Sequence, residues 1–263
     1  MTSDTDWTAY LRTYHAANPS ITEQVLQRST HRTAGTPYEW LRAALPAEPG
    51  VVLDLACGSA PLRDHFSTAT TYLGIDVSPE ELRAGKERGR ASLARADAFA
   101  LPVAAASVDA VVCSMALMLM DPVAAAVHEV ARVLRPGGVF AMIRPVGTPF
   151  LPRDLRLVLP VLRGLGTSPQ MPQRFAARTL CRALESAGLD VESDAALRFS
   201  HPLTTTYDAH LAMRALYLPA ITDDRRSRAA SLLHRHAGPG RDLPVSVRRT
   251  VAHRSTLDVR GSH

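Results

Sequence analysis

The sequence predicts an α/β fold, a doubly wound and mostly parallel sheet of seven strands. Three observations lead there. Short apolar runs rich in β-branched residues recur from Val51 to Ile143. Stretches with helix caps or one apolar face separate them. The 263 residues, 46% hydrophobic and 21% charged, are enough for one large domain with a sizeable core.

The N-terminal stretch carries apolar residues at helical spacing: Trp7, Tyr10, Leu11 and Tyr14, then Ile21, Val25 and Leu26, then Tyr38, Leu41 and Leu45. Asn18-Pro19 and Gly35-Thr36-Pro37 break it into two or three helices. Val51 to Leu55 is the first strand, and Pro61 to Phe66 reads as a helix with Pro in its first turn. Tyr72 to Ile75 is the second strand. Ser78-Pro79-Glu80-Glu81 opens a helix, with Ser as cap and acids in the first turn, and Gly89 stops it. Ser92 to Ala96 and Val108 to Ser114 are strands three and four. Pro122 to Leu134 places Val123, Val127, Val130, Ala131 and Leu134 on one helix face and ends at Arg135-Pro136-Gly137-Gly138. Val139 to Ile143 is the fifth strand.

Prolines and glycines then punctuate an insertion of about 145–175, with a short helix from Leu155 to Leu165. Helix Phe175 to Ala187 and strand Leu189 to Leu197 resume the pattern, followed by helices at Tyr207 to Leu218 and Asp223 to His236. Pro244 to Ala252 alternates valines with polar residues, as a last edge strand would. The organisation expected is a helical N-terminal segment, 1–47, and a sheet domain, 48–259. Arg260-Gly-Ser-His263 reads as an appended tail.

Three cysteines without paired spacing exclude a disulfide framework and a Cys-based zinc site, and no His/Asp/Glu cluster suggests another metal. The longest apolar run, Ala110 to Met120, is too short to span a bilayer. Acids at the start replace the bases of a signal peptide, so a soluble, cytoplasmic protein is expected. Net charge is +5, yet residues 1–200 hold 20 basic and 20 acidic groups, so the excess belongs to the C-terminal quarter.

The chemistry is carried by Val51-Val-Leu-Asp54-Leu-Ala56-Cys57-Gly58-Ser59-Ala60-Pro-Leu62. A buried strand runs into small residues that let a ligand approach the backbone closely. Asp76 follows Asp54 by 22 residues at the end of the second strand, where an acid can bind the two hydroxyls of a ribose. Asp97 ends the third strand. A nicotinamide fingerprint needs three glycines, and Gly58 alone is present.

These residues, with Arg95-Ala-Asp97-Ala-Phe-Ala-Leu-Pro102, Ser107-Val-Asp109-Ala-Val-Val-Cys-Ser114 and Glu129-Val-Ala-Arg132-Val-Leu-Arg-Pro-Gly137-Gly138, resemble the class I S-adenosylmethionine-dependent methyltransferases, in the branch of quinone-biosynthesis and small-molecule enzymes. The resemblance covers about residues 50–145 and implies a Rossmann-like fold. Ala56 and Ala60 stand where the family commonly has glycine, and Ala60-Pro61 brings a methyl group toward the expected methionine end of the cofactor.

The resemblance implies S-adenosylmethionine as cofactor and S-adenosylhomocysteine as product. Ala56 and Gly58 would line the methionyl part, and Asp54 would orient the loop or meet the amino group. Asp76 would take the ribose hydroxyls with Val77 beside the adenine. Asp97 and Ala98 would meet the adenine edge, and Ser114 and Met115 would face cofactor and acceptor. The N-terminal helices would cover the active site, and the insertion would shape the substrate pocket. Candidates for a base or substrate contact are Tyr14, His15, Tyr38, Arg144 and His201. Asp109 reads as the start of a strand, and His65 and His128 read as solvated. Met115, Met118 and Met120 suit either a substrate pocket or a core helix.

A small-molecule acceptor is the expected partner. The alternative is a nucleic-acid methyltransferase whose Arg225, Arg226, Arg228, Arg235, Arg241, Arg248, Arg249 and Arg254 track phosphates. Against it, Ser114-Met115-Ala116-Leu117 stands where amino-group-modifying enzymes of this fold carry Asn/Asp-Pro-Pro-Tyr/Phe. A cofactor-binding homologue without turnover is the other alternative. The sequence leaves the oligomeric state open, a homodimer included.

Overall fold

In the computed structural model, Val51–Leu55 (β1), Thr71–Asp76 (β2), Leu93–Arg95 (β3), Val108–Ser114 (β4), Leu134–Pro145 (β5), Leu189–Pro202 (β6) and Asp242–Arg254 (β7) form one sheet. Its order is β3-β2-β1-β4-β5-β7-β6, and β1 to β5 pair in parallel. The structure describes residues 5–147, 151–172 and 177–256. The tail at 260–263 and the expected helix start at Phe175 lie outside them.

The helices are Trp7–Ala17 (α1), Ile21–Gln27 (α2), Pro37–Arg42 (α3), Pro79–Glu87 (α4), Val123–Val133 (α5), Pro152–Leu165 (α6), Ala177–Ser186 (α7), Thr206–Arg214 (α8) and Asp223–His234 (α9). Their starts follow from capping chemistry. Ser78 accepts from the Glu81 N–H at α4, with Pro79 at the first helical position. Thr205 and Asp208 form a reciprocal capping box at α8. Among the described residues no helix is long and apolar enough to cross a membrane.

Three expectations are corrected. Pro61–His65 is a 3₁₀ turn, because Ala60 enters it in the left-handed region and only five residues follow. β7 is an inner strand and β6 is the edge. Ser246 and Thr250 are buried along with Val247 and Val251, so both faces of β7 are covered. β5 also begins earlier than expected, at Leu134. Its register with β4 shifts between Leu134 and Val139, so Pro136-Gly137-Gly138 forms a bulge within the strand. A Cβ on Gly138 would meet the Arg135 carbonyl oxygen at 2.8 Å and the Asp109 carbonyl oxygen at 3.1 Å. Gly138→Ala is expected to lower the unfolding free energy by about 1–3 kcal/mol, read from the denaturant midpoint.

Contacts within the chain fall into two compact units. The first contains Met1–Pro37, Pro145–Met171 and Ala196–Val247. In it Val161 and Leu165 of α6, Met213 of α8 and Ala229, Ala230 and Leu233 of α9 build a core. Tyr14, Ile21 and Leu211 form a second, smaller cluster. The other unit contains Tyr38–Arg144, Pro172–Ala195 and Arg248–His263. There Leu53, Val111, Phe140 and Met142 of the sheet pack with Val127 and Val130 of α5 and Leu180 and Leu184 of α7. Brought out of water, such side chains each contribute about 1.5–3 kcal/mol.

Candidate functional site

Parallel strands deliver their C-terminal ends to one edge, and ligands of such sheets bind there. In the second unit that edge carries Asp54 and its loop after β1, Asp76 and Val77 after β2, Asp97 and Ala98 after β3, and Ser114 and Met115 after β4. All nine sequence-predicted cofactor residues therefore lie at ends of neighbouring strands.

The loop after β1 turns through left-handed backbone at alternate residues, with φ of 52° at Ala56, 56° at Gly58 and 58° at Ala60. Alanine holds such a conformation at a cost of about 1–2 kcal/mol. Surrounding bonds maintain it. The Cys57 N–H donates to the Ile75 carbonyl at 2.9 Å, and the Ala60 N–H donates to the Cys57 carbonyl at 2.8 Å. Arg90 donates to the Ser59 carbonyl at 2.8 Å and pairs with Asp64. Ala60 is fully buried, so its methyl group packs into the unit.

Asp76 ties this loop to the next helix. Its Oδ2 accepts from the Gly58 N–H and its Oδ1 from the Ser78 N–H, each at 2.8 Å. Asp97 is exposed and accepts from the Phe99 N–H at 3.0 Å, closing a turn. Val77 is 65% exposed and Phe99 38%, two apolar side chains left open at adjacent strand ends.

Asp54 behaves differently. It is buried, and its carboxyl accepts from the Tyr72 hydroxyl at 2.5 Å. Burial pushes its carboxyl up to about 7, with Tyr72 drawing it down and Asp76 pushing it up. Its Oδ1 and the Ser114 Oγ are buried without a hydrogen-bond partner. Buried polar atoms are ordinarily paired, so these two fit a site completed by a polar ligand. An acid-lined site with such an oxygen suits a cofactor bearing an ammonium and a sulfonium.

The other candidates lie within one unit or the other. In the first unit, the Tyr14 hydroxyl donates to the Arg214 carbonyl at 2.7 Å, and His15 Nε2 lies 3.2 Å from the Tyr217 hydroxyl. His201 is buried, with Nδ1 3.2 Å from both Ser29 Oγ and the Val25 carbonyl oxygen. Burial holds its imidazole below the ordinary value, while the Val25 bond opposes this. In the second unit, Tyr38 is buried near His65, with ring centroids 6.2 Å apart. Arg144 is buried with Nε unpaired; burial and then Arg248 lower its pKa.

His65 is half-buried rather than solvated, because Tyr38 packs beside it. His128 is exposed. Met118 and Met120 are buried and serve packing, while Met115 is half-buried with a left-handed φ of 58°. Asp109 stands within β4 and accepts from the Val51 N–H at 2.6 Å. Among the described residues no group of His, Cys, Asp or Glu is placed to hold a metal.

Tyr72, Glu81 and Phe99 were not named as site residues in the sequence. Tyr72 reads there as the first residue of a strand, Glu81 as an acid in a helix's first turn, and Phe99 as part of the motif after Asp97. Glu81 is buried, and its Oε2 would lie 3.6 Å from a Cβ on Gly58. Half of the C-terminal arginines singled out as phosphate contacts have internal partners. Arg226 donates to the Met213 carbonyl at 2.6 Å, Arg248 pairs with Asp194, Arg249 stacks over Trp40, and Arg254 donates to the Leu134 carbonyl.

Residues 53–142 match the family profile described as a methyltransferase domain. A malonyl-[acyl-carrier protein] O-methyltransferase of Enterobacter lignolyticus is 31% identical over 199 residues, which cover 74% of each chain. Two uncharacterised chloroplastic methyltransferases of Arabidopsis thaliana are 36% and 32% identical over 40% and 49% of this chain. Those matches span only 32% and 39% of the plant proteins' own length. Among solved structures, the [4+2]-cyclase SpnF superposes with a TM-score of 0.58 at 19% identity, covering 95% of this chain and 93% of that one. That likeness shows the fold alone. The domain match and the Enterobacter relative together show that this chain belongs to the class I S-adenosylmethionine-dependent methyltransferases.

Proposed function

We propose that the protein transfers the methyl group of S-adenosylmethionine to a small-molecule acceptor. The observation that most supports this is the unsatisfied, acid-lined strand edge of the second unit. There Asp54 and Ser114 keep buried polar atoms unpaired beside a loop fixed by Asp76. In this reading Ala56 and Gly58 line the methionyl part, and Asp76 receives the ribose hydroxyls. Val77 and Phe99 supply exposed apolar surface for the adenine. Asp97 and Ala98 meet its polar edge, and Ser114 and Met115 face the acceptor.

When bound, the cofactor supplies an electrophilic methyl group, and the chain's own residues bind, align and exclude water. The internal partners of Arg226, Arg248, Arg249 and Arg254 favour a small acceptor over a nucleic acid. The Enterobacter relative's acceptor, a malonyl group on a carrier protein, is one acid to include among candidate acceptors.

A thermal-shift titration tests the reading. At a hundredfold excess over Kd, S-adenosylhomocysteine is expected to stabilise the fold by about 2.7 kcal/mol. That raises Tm by roughly 5–10 °C for a chain of this size. The absence of a shift with either cofactor form would sink the proposal.

A further inference from the structure

Tyr72 stands in β2 two residues before Gly74, and the register sets Gly74 opposite Asp54 on β1. Residues 72 and 74 share one face of the sheet. Gly74 presents no side chain there. A Cβ on it would meet Leu93 Cδ2 at 2.7 Å, Cys57 Sγ at 3.0 Å and Tyr72 Cε1 at 3.2 Å. Leu93, Cys57 and the tyrosine ring share that space, and the Tyr72 hydroxyl reaches Asp54 Oδ2 at 2.5 Å. Such a length belongs to a hydroxyl donating to a carboxylate. Both side chains are buried, and Asp54 Oδ1 is left without a partner.

The charged and titratable groups around the pair come from every neighbouring element, and Arg63 of the 3₁₀ turn lies over the Tyr72 ring, 5.7 Å from its centroid. Cys57 lies in the loop, Cys113 on β4, Asp76 at the end of β2 and Glu81 on α4, while Arg90 acts on Tyr72. Arg90 is itself bound to Asp64 and the Ser59 carbonyl. After burial, the fields of Asp54, Asp76 and Glu81 push the Cys57 thiol well above its ordinary value. The field at the base of the loop is therefore negative and suits a cation.

We infer that Tyr72 is a positioning residue for cofactor binding: it holds Asp54 beneath the loop as a carboxylate, so that the meeting with the cofactor's ammonium group, which the resemblance implies for Asp54, depends on the Tyr72 hydroxyl. The inference rests on the cofactor site proposed above. Its pH dependence has a definite sign. Asp54 is protonated below about 7 in the cofactor-free protein, because burial raises it. Affinity for an ammonium ligand therefore rises as pH rises through 7. Removing the Tyr72 hydroxyl takes away the bond that draws the carboxyl down, so that rise moves to higher pH. The same raised carboxyl stabilises the cofactor-free fold fully below the ordinary value of 3.8, and this contribution is lost as pH climbs toward 7.

Two ligands separate positioning from mere structure. S-adenosylhomocysteine carries the amino-acid tail, and 5′-methylthioadenosine lacks it. Titration calorimetry on the full chain from pH 6 to 9 is expected to show a pH-dependent affinity for the first ligand only. Tyr72→Phe is expected to weaken S-adenosylhomocysteine about tenfold near pH 7.5 and to leave 5′-methylthioadenosine unchanged. Asp54→Asn is expected to flatten the pH profile, and adding Tyr72→Phe to it should weaken binding no further. Equal weakening of both ligands by Tyr72→Phe, or of neither, overturns the inference while leaving the cofactor site standing. If Tyr72→Phe does not fold, the pH profile of Asp54→Asn decides: one that still rises through 7 overturns it. A wild-type protein that binds neither ligand overturns the cofactor reading and this inference together.

Discussion

Asp76→Ala is expected to abolish measurable binding of S-adenosylhomocysteine, an affinity loss of at least about 100-fold. The carboxylate stands at the end of β2, half-buried, with each oxygen fixed by a backbone N–H at 2.8 Å. Those bonds set its plane. Alanine removes the acceptor and also frees the Gly58 and Ser78 N–H groups, so the loop after β1 loses its tie to α4. Asp76→Asn is the sharper control. It keeps the volume, but one face of its amide must set an N–H against a backbone N–H. An intermediate loss of about tenfold is expected from calorimetric titration at constant pH. Unchanged affinity in Asp76→Ala would contradict the ribose role.

The largest effect on stability is expected at Asp208, in the first unit. Its carboxylate is fully buried and accepts from the Thr204 N–H, the Thr204 hydroxyl and the Thr205 N–H, each at 2.8 Å. Arg28 pairs with its other oxygen at 2.5 Å. Burial pushes this carboxyl up, but the Thr204, Thr205 and Arg28 bonds override it and hold the group well below the ordinary carboxylate range. Asp208→Ala breaks the α8 capping box and strands donors and a cation at once. A destabilisation of about 3–5 kcal/mol is expected from chemical denaturation. The sign on pH follows from the lowered value. The contribution is complete above 3.8 and is lost as pH falls through the folded value, so the variant should show a shallower acid transition than wild type. A midpoint shift under 1 kcal/mol would show that water replaces the carboxylate, contrary to this account.

The alternation of strands and helices from Val51 to Ile143 was legible in the sequence, and so was the place of the nine candidate residues at the C-terminal ends of β1 to β4. Those elements are local: a run of β-branched residues, or Ser78-Pro79-Glu80-Glu81, carries its own signal. The place of β7 was not legible, because chain order does not say which strands become neighbours. Its valines suggested one covered face, and only the burial of Ser246 and Thr250 shows that there are two. The 3₁₀ turn at Pro61 was missed because a proline near a helix start looks the same whether the turn propagates or stops. Tyr72 was missed for a deeper reason. Its hydroxyl matters through Asp54, 18 residues earlier, and through the space that Gly74 leaves, which is a property of register. The grouping of 145–171 and 196–247 with the N-terminus is equally non-local.

That grouping has a consequence for synthesis. Tyr38–Arg144 is continuous, so most of the second unit's strands leave the ribosome together and can pair as they emerge. The N-terminal helices must wait. Arg28 meets Asp208 across 180 residues of chain, and at about 5–20 residues per second that partner arrives roughly 10–40 s later. For that interval Tyr10, Tyr14, Ile21 and Val25 have no Leu211 or Tyr217 to cover them. Until α8 is made, α1 and α2 therefore present the kind of uncovered apolar surface that chaperones bind.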